Sequence, residues 1–420
     1  MIALYFKQAW MLLRQNRLVS GLSIAGTALS VAAIMLVILV YQVSYADYPP
    51  ESNRFRTLYL DGMEAHTLSG RNYNGATGYR VLHEALYPLK TPQAVAALTN
   101  SGRNPINLPG EKLMRKFTIK YTDATFWRVL DFTFVQGAPF TQADFDAALH
   151  KAVISESTAR RLFGTTEVVG RVFQRMQVDY TVCGVVREVS TAAVNAYADI
   201  WMPYTVRPEL IHDFDRYENT TGGFGVLLLA RSSSDFPAIR NELAQSLARF
   251  NASLAETTIS YGEGPVTQWD KMMGGTCLDP ANVGEFLSGR GFLLLFLLLL
   301  PALNIIGITL TQFRKRRSEI GVRKAFGARA GGLVKQIVTE NMLYALIGGL
   351  FGLALAYVLL SCCKSFLISS TVELTGEMLI RPGTFLIALC VTLLMNLVSV
   401  GVPALRAGRM PIVRALNDEE

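Results

Sequence analysis

The chain has 420 residues, half of them hydrophobic, with a mean hydropathy of +0.28 and a formal net charge of +7. Soluble domains rarely average positive, so the composition points to a membrane protein. The apolar residues gather near the N-terminus and after residue 290, and the excess cations sit in a few short segments, which gives no case for nucleic-acid binding.

Residues 1–17 read as an amphipathic interfacial helix. Tyr5, Phe6, Ala9, Trp10, Leu12 and Leu13 recur at helical spacing against Lys7, Gln8, Arg14 and Gln15. The uncharged run 18–43 follows, 26 residues long. That exceeds the roughly 20 residues a helix needs to cross a hydrocarbon core and the roughly 7–15 of a signal-peptide core, so it is expected to be a first transmembrane span. Gly26 and Ser30 are its small packing residues.

Residues 44–290 are expected to form a large α+β extracytoplasmic domain. Strand patterns occur at 55–60, 116–122, 152–155, 180–189 and 225–230. Helical patterns occur over 77–99, broken at Pro88 and Pro92, over 155–163 with Ser155 or Ser157 as cap and Gly164 as stop, and over 237–250. Cys183 and Cys277 both fall here, where a disulfide is allowed; buried free thiols are the default reading.

Three more uncharged runs, 291–313, 341–360 and 385–402, complete four expected spans, with a short outer loop at 361–384. Gly348, Gly352 and Ala356 put small residues on one face of the third, allowing close helix contact. Pro301 is expected to kink the second, with Asn304 one turn on to satisfy a freed carbonyl. No charged residue lies inside a run, which argues against an ion-coupled pump.

Segment 1–18 holds three Lys/Arg and no acid, and 314–340 holds eight against Glu319 and Glu340. The outer candidates, 44–290 and 361–384, hold 24 against 26 and two against two. The positive-inside rule therefore places both termini, the 403–420 tail and 314–340 in the cytoplasm.

Catalytic motifs are missing. No G-x-x-x-x-G-K-[ST] occurs, and Gly70 to Gly75 continues Ala76-Thr77 with no phosphate-binding lysine. No H-E-x-x-H or G-x-S-x-G occurs, and the four histidines are scattered without zinc spacing. The expected class is a non-catalytic protein with no cofactor or metal of its own. The most ordered polar segment is Arg314-Lys315-Arg316-Arg317-Ser318-Glu319-Ile320-Gly321-Val322-Arg323-Lys324-Ala325-Phe326-Gly327-Ala328-Arg329. Anchoring explains its four leading cations. The run after them reads as a short helix stopped at Gly327, suited to docking in a groove of a soluble partner.

That run resembles the E-I-G-[IV]-[RL]-[KR]-A-x-G-A stretch of the MacB/FtsX-type, or type VII, ABC transporter permeases, through Glu319, Ile320, Gly321, Val322, Arg323, Lys324, Ala325, Gly327 and Ala328. Pro403-Ala404-Leu405-Arg406-Ala407 with Pro411 and Ala415-Leu416 is similar to that family's end, and Leu13-Arg14-Gln15-Asn16-Arg17 to its entry into the first span. The outer region resembles a MacB-like periplasmic core domain through Phe126 to Phe132, Ile154-Ser155-Glu156, Ala159 to Gly164, Gly170 and Gly184-Val185-Val186.

The resemblance implies a bacterial inner-membrane permease, dimeric with a second copy or paralogue, moved by a separate ATPase that binds the ATP and Mg. It implies that Glu319, Ile320, Gly321, Arg323, Lys324, Ala325, Gly327 and Ala328 form the coupling helix seated on that ATPase. It also implies a porter-like outer lobe, about 52–115 plus 225–285, with a second lobe, about 116–224, inserted in it. Two classes of function stand open: export of a peptide or hydrophobic compound, with a periplasmic adaptor and outer-membrane channel as further partners, or an FtsX-like scaffold controlling a cell-wall hydrolase. Lipoprotein extraction is a third reading.

Overall fold

The computed structural model describes residues 45–211 and 217–286 without interruption, together with 24–29, 31–35, 346–359 and isolated positions of the flanking apolar segments. The chain divides into two compact units, Ser44–Phe286 and the remainder, Met1–Val43 with Leu287–Glu420. Most of the four expected spans lie outside the described residues. Among the described residues no helix is long and apolar enough to cross a membrane.

The unit Ser44–Phe286 is α+β, built on one 14-stranded mixed sheet. Its first part is antiparallel: β1 (Thr57–Leu60), β2 (Met63–Thr67), β3 (Asn72–Thr77), β4 (Ala94–Thr99), β12 (Thr221–Gly222), β13 (Phe224–Leu229) and β14 (Thr257–Ser260). Here β13 lies between β1 and β4, and the order continues through β3 and β2 to β14. The second part comprises β5 (Gly102–Ile106), β6 (Arg115–Thr122), β7 (Phe134–Gly137), β8 (Lys151–Ser155), β9 (Val172–Arg175), β10 (Val178–Val186) and β11 (Ile200–Pro203). In it β6–β11 and β8–β10 are parallel, while β11–β8, β10–β7, β10–β9 and β5–β6 are antiparallel. The Leu98↔Thr122 pair of β4 and β6 joins the two parts.

Strand pairing passes from the first part to the second after β4, through the β5–β6 hairpin. The Gly- and Pro-containing stretch after β5 is the connection of a hairpin, since β5 pairs along its length with β6. The 77–99 helix is shorter than its pattern. Helix α1 (Tyr79–Val81) runs into a π-turn at Leu82–Leu86 and ends, and Ala94–Thr99 is a strand. Alanine favours helix intrinsically, but here Leu98 and its neighbours are buried between β13 and β6, and sheet burial overrides that preference.

Elsewhere local chemistry sets the elements. Helix α4 (Glu156–Phe163) begins where the Ser155 hydroxyl accepts from the Thr158 amide and stops at Gly164, whose φ of +77° suits glycine. Two shorter helices precede it, α2 (Phe126–Val129) and α3 (Gln142–Asp146), the latter with a Thr141–Asp144 capping box. Helix α5 (Phe236–Asn251) buries Ile239, Leu243 and Phe250, and its Ser246 hydroxyl donates to the Ala85 carbonyl at 2.7 Å. The second part is centred on aromatic rings: Trp127 meets Phe132 at 4.9 Å and Trp201 meets Phe132 at 5.3 Å. Full burial of a ring such as Trp201 contributes on the order of 2–3 kcal/mol, and the half-buried Trp127 and Phe132 contribute less.

Candidate functional site

The predicted coupling residues Glu319, Ile320, Gly321, Arg323, Lys324, Ala325, Gly327 and Ala328 lie outside the described residues, as does Ser30. The other small residues are described. A Cβ on Gly348 would lie 2.8 Å from the Thr27 Cβ, and one on Gly352 would lie 2.6 Å from the Ala28 carbonyl oxygen and 2.7 Å from the Val31 Cβ. Ala356 closes a buried cluster with Ala32 and Met35. Segments 24–35 and 346–359 therefore meet backbone to backbone through glycine, while Gly26 is half-buried.

Among the described residues, one cavity of about 440 Å³ lies where the two parts of the sheet meet. One wall carries Tyr59 and Leu60 of β1 and Phe224 and Gly225 of β13; the other carries Lys120 of β6 and the loop 191–197. Gly225 opens the cavity, because a Cβ there would have only the Leu60 and Leu98 carbonyl oxygens within 4 Å, both at 3.8 Å.

Lys120 is 1% exposed. Its ammonium donates to the Val194 carbonyl at 2.9 Å and the Asn195 carbonyl at 2.6 Å. Among the described residues no carboxylate forms an ion pair with it. Burial pushes Lys120 down to about 7, with Glu51 opposing and Lys271 adding to that shift. At the cavity wall Lys271, on helix α6 (Gln268–Met272), lies 3.4 Å from the Asp61 carboxylate and 4.6 Å above the Tyr59 ring.

The loop 191–197 is held on its other side by the segment that enters the domain. Glu51 accepts from the Asn195 and Ala196 amides at 2.9 and 3.0 Å. Its other oxygen takes the Arg54 Nε at 2.7 Å, with both side chains nearly wholly buried. Arg54 also donates to the Tyr48 hydroxyl, the Ala46 carbonyl and the Ala192 carbonyl. The cavity's loop is thus bonded to residues 46–54 and to β6 at once.

A second buried polar group stands where α1, β4 and β6 converge. The Asp123 carboxylate accepts from Ala97 N, the Tyr87 hydroxyl and Phe126 N, each at 2.8 Å. Burial pushes it up to about 6 against those bonds. Tyr87 in turn lies 3.3 Å from the Tyr204 hydroxyl, which lies 3.1 Å from His83. Cys183 and Cys277 are free thiols, both pushed up to about 11 by burial. Among the described residues no cluster of three or more His, Cys, Asp or Glu could hold a metal.

Sequence reading missed Glu51, Arg54, Lys120 and Asp123. The only local signal is the i, i+3 spacing of Glu51 and Arg54, which is far commoner on solvated surfaces.

A family model for the MacB-like periplasmic core domain matches residues 20–246, and one for the FtsX-like permease C-terminal region matches 291–412. The pyoverdine export ATP-binding/permease protein PvdT of Pseudomonas aeruginosa is 24% identical, over 98% of this chain and 58% of that protein. The macrolide export ATP-binding/permease protein MacB of Chromobacterium violaceum is 26% identical, over 99% and 60%. The chain thus spans about three-fifths of these relatives' length. The periplasmic region of MacB from Actinobacillus actinomycetemcomitans is 14% identical, over 48% of this chain and 88% of that one, with a TM-score of 0.31.

Proposed function

Because this chain belongs to the permease family defined by a MacB-like periplasmic core domain and an FtsX-like permease C-terminal region, we propose that it is the moving subunit of an exporter driven by an ATPase on another polypeptide. The observation that carries this reading is the succession of the two family regions, with the basic segment 314–340 inside the second. Four spans would set the domain outside and that segment and both termini in the cytoplasm of the inner membrane. The permease would pair with a second copy or paralogue. ATP and Mg would bind the ATPase, whose closure moves the helix containing Glu319, Ile320, Gly321, Arg323, Lys324, Ala325, Gly327 and Ala328. The long second span would carry that movement to the outer domain, a rigid-body switch between two states.

The cargo on this reading is a peptide or hydrophobic compound met on the outer side and passed to an adaptor and outer-membrane channel. Relatives named for pyoverdine and macrolide export support that class. The tight, uncharged packing of 24–35 on 346–359 fits spans that transmit movement rather than line a polar path.

The test is reconstitution in lipid nanodiscs with the partner ATPase. Glu319→Ala and Arg323→Ala are expected to keep the fold, measured by melting, and to abolish permease-dependent stimulation of ATP hydrolysis. Unchanged stimulation in both variants would refute the docking role. Cysteine labelling that put residues 314–340 and the domain on one side of the bilayer would refute the relay altogether.

A further inference from the structure

We propose that the cavity between β1, β13, β6 and the 191–197 loop is a binding site for an organic anion, a carboxylate or phosphate head on a small apolar body. A lysine ammonium has three N–H donors. Lys120 gives two to the Val194 and Asn195 carbonyls, lines the cavity, and has no carboxylate of its own among the described residues. The nearby acid Glu51 is already committed to Arg54 and to two loop amides. An incoming oxyanion would supply the missing counter-charge, with Lys271 as a second cation at the wall. Ala76, half-buried, and Val194, exposed, offer apolar surface to the rest of the ligand. A volume of about 440 Å³ lies in the range of small-molecule sites, roughly 300–1,000 Å³.

The charged and titratable groups around Lys120 come from several elements. Glu51, on the entry segment, favours its charged form, and Lys271, on α6, opposes it. Asp61, after β1, pairs with Lys271; Tyr197 lines the cavity from the loop. Burial leaves Lys120 at about 7 in the empty site. The anion needs its charged form, so binding takes up a proton near and above neutrality. Going from pH 6 to pH 8, the charged fraction, and with it the affinity, falls about ten-fold.

The experiment is calorimetric titration of the full chain in nanodiscs with 3-phenylpropionate, phenyl phosphate and the neutral 3-phenylpropanamide. At least one anion is expected to bind at least about ten-fold tighter than the amide, since only it makes the charge-assisted bond. The stronger of the two anions tells a carboxylate ligand, such as a peptide end, from a phosphate one, such as a lipid headgroup; either supports the site. The carboxylate titration is repeated at pH 6 and pH 8 for the expected fall. Lys120→Met should remove the preference for anions. Gly225→Leu, which leaves Lys120 in place and fills the cavity, should block all three probes. An amide that binds as tightly as both anions, or anion binding that survives both substitutions, would overturn the proposal; a flat pH profile would overturn the part assigned to Lys120 titration.

Discussion

Replacing Glu51 by alanine gives the sharpest stability test. The substitution leaves the Arg54 guanidinium buried without its carboxylate, beside the Tyr48 hydroxyl, the Ala46 and Ala192 carbonyls and the Tyr48 ring, 4.2 Å away. It also removes the acceptor of the Asn195 and Ala196 amides. Breaking one side of a buried ion pair costs about 3–5 kcal/mol, because an uncompensated charge remains. For a domain of this size, about 2–4 °C of melting temperature goes with each kcal/mol, so the expected drop is roughly 6–20 °C. The assay is thermal unfolding of the full chain in nanodiscs, followed by tryptophan fluorescence, with Trp201 inside the core and Trp127 half-buried beside it. Glu51→Met with Arg54→Met should recover most of the loss, since removing both charges together removes the stranded one. Glu156→Ala, which breaks the Arg160 contact at 3.6 Å, is the control and should cost no more than about 1 kcal/mol, or roughly 2–4 °C. A drop for Glu51→Ala no larger than that control, or a double variant as damaged as the two single variants combined, would refute the buried-pair account.

Asp123 should make stability depend on pH. Its carboxyl is raised from 3.8 to about 6 in the folded chain, so the term it contributes is fully present below pH 3.8 and is lost as pH rises through about 6. The melting difference between wild type and Asp123→Asn should therefore change over that window, and a flat difference from pH 4 to pH 7 would contradict the burial argument. Gly352→Ala places a methyl 2.6 Å from the Ala28 carbonyl oxygen, so segments 24–35 and 346–359 must move apart. A cost of about 1–3 kcal/mol is expected, and a cysteine pair across this contact should cross-link more slowly in the variant; an unchanged rate would count against the close approach. Ser155→Ala removes the α4 cap and should cost about 1 kcal/mol in a denaturant titration, whereas Ser157→Ala leaves the cap bond to Thr158 intact and should cost less.

Features decided by neighbours in the chain were legible before any coordinates. The α4 helix is one: Ser155 begins it and Gly164 ends it through bonds and backbone angles that span a few residues. The strands at β6, β8, β10 and β13 are others, because unbroken apolar or alternating runs suit a buried sheet. Family membership was legible as well, through motifs spread over nearly the whole length. The residues proposed to couple to the ATPase were legible as a pattern of charge and spacing that resembles the family's.

The cavity was not legible, and Lys120 shows why. On a strand reading Phe117-Thr118-Ile119-Lys120-Tyr121, an alternating lysine looks like a solvated side chain. It is buried because the 191–197 loop, more than seventy positions away, folds over it and gives it two carbonyls. The Ala94–Thr99 strand was hidden for the same reason, since β13, some 130 positions further on, supplies its pairing. The sequence by itself determined where the apolar runs lie, which segments are basic and where well-capped elements begin, because these depend on composition and on bonds a few residues long. Only the tertiary structure decided which polar groups leave water, because burial depends on what distant segments bring to cover them.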